Sequence, residues 1–153
     1  MPEVRRLRPD DWEDFRDIRL RSLAESPDAF GSTLDREQGF TESDWRQRLS
    51  RPVYVVDDPT PVSIGGVFDN HGIPHVWGMW TEPGHRGRGH AHRILDALIP
   101  PGTTAQLDVN IANEDARAVY ERYGFVGTGR VEPLRPGSEM RIELMVLPLP
   151  DRA

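Results

Sequence analysis

The stretch HVWGMWTEPGHRGRGHAHRIL, residues 75–95, constrains the fold more than any other part of the chain. The run HVWGMWT reads as a strand, and Pro83-Gly84 stops it. The turn HRGRG follows. Ala91, Ile94, Leu95 and Leu98 then fall at the i, i+3, i+4, i+7 spacing of one apolar helical stripe. A strand that feeds a helix through a tight turn commits the chain to layers, with the helix packed on a sheet. The first N–H groups of such a helix have no intrahelical partner, and with the helix dipole they form an anion site. Gly87 and Gly89 let the main chain curl close to a phosphate without a β-carbon in the way, and Arg86 and Arg88 add charge.

Two phosphate-binding motifs are excluded by the residues themselves. A nucleoside-triphosphate loop needs Gly-Lys-Ser/Thr at the helix start, and all 19 basic residues are arginine. A dinucleotide fingerprint needs G-x-G-x-x-G, which Gly84, Gly87 and Gly89 do not fit. A plain tight turn remains as the structural alternative.

The flanking segments complete a layered pattern. A helix should begin at Asp10 or Asp11, carry Trp12, Phe15, Ile18 and Leu23 on its apolar face, and end at Ser26-Pro27. PDAFGSTLDREQGF reads as loop plus a short helix, and a further helix around SDWRQRLS has Ser43 as its candidate cap. VYVVDD and PVSIGGVF read as a hairpin joined through DDPTP, with HVWGMWT as the third strand. AQLDVN is a strand with Leu107 and Val109 on one face. Asn113 caps a helix whose stripe is Ala116, Val119, Tyr120 and Tyr123, and Gly124 stops it. FVGTGR and RIELMVLPL are the last strands. The order predicts one α/β domain over residues 1–153: helices on a central mixed, mostly antiparallel sheet.

Composition removes several function classes. With no cysteine, disulfides, thiolate metal sites and a cysteine nucleophile are all excluded. A net charge of −6 argues against broad nucleic-acid binding and mildly favours a cationic partner. No apolar run reaches the ~18 residues of a membrane span. MPEVRRLRPDDW lacks the apolar core of a signal peptide, so a cytoplasmic protein without a membrane partner is expected. His71, His75, His85, His90 and His92 show no zinc-binding spacing, and His90 and His92 should lie on different helix faces, so no metal is expected. Gly31-Ser32-Thr33 lacks the context of a serine-hydrolase elbow. Trp45 reads as core.

Arg86-x-x-Gly89-x-Ala91 resembles the Q/R-x-x-G-x-G/A signature of the GNAT N-acetyltransferases. LDVNIANEDARAVYERYGF is similar to that family's second acetyl-CoA segment, with Asn113, Ala116, Tyr120 and Gly124-Phe125 in register. RLRPDDWEDFRDIRLRSLAESPDAF looks like the two-helix start of bacterial members. The sharp motifs occupy residues from about 76 to 125, and their order adds specificity that neither has alone.

The resemblance implies that HVWGMWT and AQLDVN are parallel strands that splay apart to admit acetyl-CoA. Main-chain groups of Met79, Trp80 and Thr81 would pair with the pantetheine arm. The N–H groups of Arg86, Gly87, Arg88, Gly89, His90 and Ala91 would hold the pyrophosphate, and Asn113 would touch the cofactor, although capping alone would justify that residue. Tyr120 would protonate the coenzyme A sulfur; as a member of an apolar stripe it could equally be a core aromatic. Asp108, opposite Leu107 and Val109, is the first candidate base, working through water, with Glu82 the second; burial beside the thioester would raise Asp108 toward working pH. Both could instead be solvated or loop-pairing carboxylates. SPDAFGSTLDREQGF would line the acceptor site. The activity implied is direct acetyl transfer from acetyl-CoA to a primary amine, preferably of a small molecule. The alternatives are a non-catalytic acyl-CoA-binding module and an acetyltransferase acting on protein N-termini or lysines. Many relatives are dimers, and RIELMVLPL is where a homodimer would form.

Overall fold

The computed structural model describes residues 2–149. Its strands are β1 (Glu3–Arg6), β2 (Val53–Asp57), β3 (Pro61–Asn70), β4 (Ile73–Thr81), β5 (Ala105–Asn110), β6 (Val126–Pro133) and β7 (Arg141–Leu147). Its α-helices are α1 (Trp12–Glu25), α2 (Leu34–Gln38), α3 (Glu42–Arg48), α4 (His90–Leu98) and α5 (Glu114–Tyr123), with a 3-10 turn at Pro27–Ala29. The strands form one mixed sheet in the order β1-β2-β3-β4-β5-β7-β6. Every neighbouring pair is antiparallel except β4 with β5.

Each face of the sheet carries its own apolar cluster. On one, α4 buries Ile94, Leu95 and Leu98 with Leu107, Tyr120, Phe125 and Met145. On the other, Phe15, Ile18 and Leu23 of α1 and Trp45 of α3 pack with Val53, Val55 and Trp80. A fully buried side chain of this size contributes about 1.5–3 kcal/mol, so the stripes legible in the sequence account for why the helices lie where they do. No helix among the described residues is long and apolar enough to cross a membrane.

One local expectation is corrected, and one element carried no sequence signal. Thr41, not Ser43, caps α3: its hydroxyl accepts the Asp44 N–H at 3.1 Å, while the Asp44 carboxylate accepts the Thr41 N–H at 2.9 Å. That reciprocal box satisfies two end groups at once and places the helix start accordingly. The charged segment Glu3–Arg6 is a strand, held by antiparallel pairing with β2 and by Arg5 Nε donating to Asp57 at 2.8 Å. As an edge strand it needs no alternating apolar pattern.

Strand β4 contains an irregularity that matters for everything downstream. Ile64 pairs with Trp80 and Gly66 with Trp77, so Gly78 and Met79 together oppose Gly65. Gly78 has φ +68°, the left-handed conformation of a glycine β-bulge. Such a bulge bends its strand. The β4–β5 pairing is His75 with Gln106, and the strands separate beyond it.

A buried ion cluster underlies the bend. Glu37, 1% exposed, accepts from Arg19 Nε at 3.0 Å, Arg19 Nη2 at 2.9 Å and Arg48 Nη1 at 2.8 Å. Burial alone would raise the Glu37 pKa, but the Arg19 bonds and the two positive charges outweigh it and hold the carboxyl at about 2. The folded pKa lies below the unfolded one, so this contribution is present above about pH 4.5 and lost as pH falls toward 2. Glu37→Ala is expected to destabilise the protein by about 3–5 kcal/mol in urea unfolding at neutral pH, because two arginines lose their counter-charge. The gap between variant and wild type should narrow when the unfolding is repeated in acid.

Candidate active site

Where β4 and β5 part, a cavity of about 40 Å³ opens between them. Val76 to Met79 of β4, Leu107 and Asp108 of β5, Tyr120 of α5, Ala29 at the end of the 3-10 turn and Phe30 just after it line the cavity. The two side chains singled out as acid and base thus meet in one cavity.

Tyr120 is carried there by a well-terminated helix. Asn113 Oδ1 accepts the Ala116 N–H at 3.1 Å, and Glu114 and Asp115 sit in the first turn, where the dipole favours them. At the far end Gly124, φ +123°, donates its N–H to Tyr120 and Glu121 carbonyls. The Tyr120 ring packs edge-on against Phe125, 6.1 Å between centroids, and burial pushes its pKa up to about 12. The hydroxyl therefore keeps its proton across any ordinary working range. Tyr123, one stripe position on, donates to Asp96 at 2.8 Å outside the cavity.

Asp108 interrupts an otherwise buried strand: its neighbours Leu107 and Val109 are in the core and its own carboxylate is exposed. Asp108 Oδ2 lies 3.2 Å from His75 Nε2. The His75 ring stacks on Phe68 at 5.0 Å, which fixes its orientation. This pairing had no sequence signal, because it depends on the parallel register that sets His75 beside Gln106. Glu82, the second candidate base, is engaged by Arg21 Nη1 at 3.0 Å and is not among the cavity-lining residues.

At the end of β4 the chain makes the expected turn. Gly87 and Gly89 have φ +77° and +80°, and a β-carbon at either would meet nothing within 4 Å. Gly89 is the N-cap of α4, and no side chain caps that helix. The first intrahelical bond runs from Arg93 N to Gly89 O at 3.2 Å, so the N–H groups of His90, Ala91 and His92 lack helical partners. The arginines behave differently from expectation. Arg86 donates to the Thr81 carbonyl at 2.8 Å and to Glu25 at 2.6 Å, and Arg88 lies 3.6 Å from Asp58. Their charges are already matched by carboxylates, which leaves the unpartnered backbone N–H groups as the turn's main donors. Glu25 is held below the usual carboxylate range, chiefly by the Ser26 hydroxyl, then by Trp80 Nε1 and Arg86.

The three residues expected to offer main chain to a pantetheine arm divide in role. Trp80 and Thr81 pair with β3 through Ile64 and Ser63, and the Thr81 carbonyl is engaged by Arg86. Met79 sits in the bulge, packed against the α4 cluster. A roof also forms that the sequence did not reveal. Arg135, between β6 and β7, donates to the carbonyls of Pro27 at 3.1 Å, Phe30 at 2.8 Å and Gly31 at 3.3 Å. Asn110 Nδ2 donates to Asp28 O at 2.8 Å. Together they pin the 3-10 turn over the cavity.

The chain matches the acetyltransferase (GNAT) family model over residues 5–125. Among curated proteins no sequence matches. Solved structures share the fold at low identity. A GNAT-family acetyltransferase from Streptococcus pneumoniae superposes with TM-score 0.77 at 15% identity, covering 95% of this chain and 98% of that one. A phosphinothricin acetyltransferase from Sinorhizobium meliloti, solved with acetyl-CoA, gives 0.76 at 16%, covering 97% and 88%. The ribosomal-protein-S18-alanine N-acetyltransferase from Escherichia coli gives 0.70 at 16%, covering 100% and 97%.

The glycine turn yields a stability test. Gly89→Ala meets no steric obstacle, so its cost is that of a left-handed non-glycine residue, about 1–2 kcal/mol in urea unfolding. Gly84→Ala, equally open but without a positive φ, is expected to stay within about 0.5 kcal/mol of wild type.

Proposed function

The chain belongs to the acetyltransferase (GNAT) family, and from that premise we propose that it moves an acetyl group directly from acetyl-CoA to a primary amine of a small-molecule acceptor. One observation carries this reading: Tyr120 and Asp108 line the same cavity at the point where β4 and β5 separate. The uncapped start of α4, at the end of β4, suits a diphosphate.

Acetyl-CoA supplies an activated acyl group on sulfur. The acceptor must attack as a neutral amine. Its nitrogen bonds to the thioester carbonyl carbon, the carbon–sulfur bond breaks, and the electron pair leaves on sulfur. Tyr120, protonated because burial holds its pKa near 12, gives its proton to the departing thiolate. Asp108 accepts the proton that the amine sheds, through a water where the aspartate is too short to reach. His75, 3.2 Å from the same carboxylate, keeps Asp108 oriented. Without cysteine, no thiol of the protein can carry the acyl group in between.

The roof supports a small acceptor over a peptide. Ala29 and Phe30 cover the cavity, and Arg135 and Asn110 hold their segment in place through several hydrogen bonds. A flexible chain would need an open groove there. The Sinorhizobium meliloti neighbour, by its name a phosphinothricin acetyltransferase, is one fold relative with a small acceptor.

Release of free thiol from acetyl-CoA across a panel of primary amines tests the proposal. Wild-type protein is expected to turn over with at least one small amine. Tyr120→Phe should lower kcat by about 100-fold or more while acetyl-CoA affinity in calorimetry changes by less than about threefold. Asp108→Asn should lower kcat in the same assay. Tight acetyl-CoA binding with no thiol release on any amine would establish a binding module instead, and turnover confined to peptides would establish a protein acetyltransferase.

A further inference from the structure

Three side chains that the transfer chemistry does not use converge beside the glycine turn. Asp58 follows β2, His85 lies in the turn itself, and His90 is the first residue of α4. One potential ligand atom from each lies within 4.8 Å of the other two. We propose that Asp58, His85 and His90 bind a divalent transition-metal ion of the zinc class. His90 enters the anion cradle through its main-chain N–H, so the two roles call on different atoms.

The imidazoles carry the argument. His90 is 3% exposed, and both of its ring nitrogens are buried without a hydrogen-bond partner among the described residues. The Nδ1 of His85 is buried and unpartnered as well, 3.4 Å from Asp58 Oδ2. A neutral imidazole has one N–H and one lone pair, and buried polar atoms of this kind are ordinarily satisfied. A metal ion takes such lone pairs directly.

A carboxylate also stands near the far side of the His85 ring. On the other side of the His85 ring, Nε2 lies 3.7 Å from Glu82 Oε2, and Arg21 Nη1 anchors that carboxylate at 3.0 Å. A carboxylate behind a ligating imidazole fixes its tautomer and raises its basicity. Two imidazoles and one carboxylate suit zinc and its first-row neighbours, and three protein ligands leave a coordination position open. Arg88 Nη1, 3.6 Å from Asp58 Oδ2, is the nearby competitor and would have to yield. His85 Nδ1 and Asp58 Oδ2, 3.4 Å apart, already lie at about the separation of two ligands on one tetrahedral ion. The bound ion would tie the β2–β3 turn to the first residue of α4. The cluster escapes a search by sequence spacing because Asp58 comes from a different hairpin.

The test uses metal alone and no acetyl donor, so its outcome is separate from that of the transferase reading. Chelator-treated full-length protein is titrated with Zn²⁺ in calorimetry and thermal melting, and with Co²⁺ by visible absorption. One ion per chain, a raised melting temperature and d–d bands with Co²⁺ are expected. Asp58→Asn and His85→Ala should each weaken Zn²⁺ binding by about tenfold or more. Asp96→Asn, which removes the exposed His92 pair, should leave it unchanged. Far-UV circular dichroism verifies that the variants are folded. Absence of saturable binding to wild-type protein, or binding that Asp58→Asn and His85→Ala leave intact, overturns the proposal.

Discussion

The separation of two parallel strands is the constraint on which the rest of the structure depends. Strands β4 and β5 pair through His75 and Gln106 and then diverge. In a regular sheet those neighbours would remain bonded along their length, and their side chains would fill the space between the faces. The left-handed glycine at position 78 inserts an extra residue against β3 and bends β4 at this point. A bulge costs ladder hydrogen bonds, and the surrounding packing has to compensate. The apolar clusters on both faces meet that cost, with α4 and α5 on one and α1 and α3 on the other.

The walls of the cavity are stiffened by charge as well as by apolar packing. The Arg19 guanidinium lies 4.9 Å from the Phe30 ring and 5.5 Å from the Trp77 ring, both of which line the cavity. A β-carbon on Gly78 would approach Arg19 Nη1 to 3.3 Å, so the bulge and the guanidinium are in close contact. Glu37 fixes Arg19 from below with two parallel bonds and recruits Arg48, whose guanidinium also lies over Trp77 at 5.6 Å. An aliphatic core could fill this volume, but it would not orient two aromatic walls through a planar, hydrogen-bonded fork. The buried ion cluster is therefore part of how the cavity is shaped.

Local periodicity and termination signals made most of this architecture legible in the sequence. The stripe Ile94, Leu95, Leu98 and the capping pair Asn113 and Gly124 place α4 and α5 correctly, because each signal acts within a few residues of its effect. Tyr120 and Asp108 were singled out by the resemblance to the GNAT family, and both line one cavity of the structure. What escaped has a common cause. Strand β1 carries no apolar alternation and exists because β2 offers an edge. The His75–Asp108 contact requires the parallel register, the Arg135 roof joins segments from opposite ends of the chain, and Asp58 reaches His85 across a hairpin. All are long-range consequences of topology, which a pattern with period 2 or 3.6 cannot encode.

Arg86 and Arg88 show the same limit acting on electrostatics. As sequence, two arginines alternating with two glycines read as positive charge aimed at a phosphate. In the fold each guanidinium meets a carboxylate from elsewhere: Glu25 at the end of α1 and Asp58 after β2. Paired, they act as struts. Arg86 ties the turn to α1 and to the last carbonyl of β4, which keeps the glycines at their positive φ and the α4 amides in position. In a chain of net charge −6, an anion placed at this turn would be held mainly by fixed N–H dipoles at a helix end. Such dipoles are short-ranged and already oriented, so they recognise a phosphate by its position and contribute little to long-range attraction.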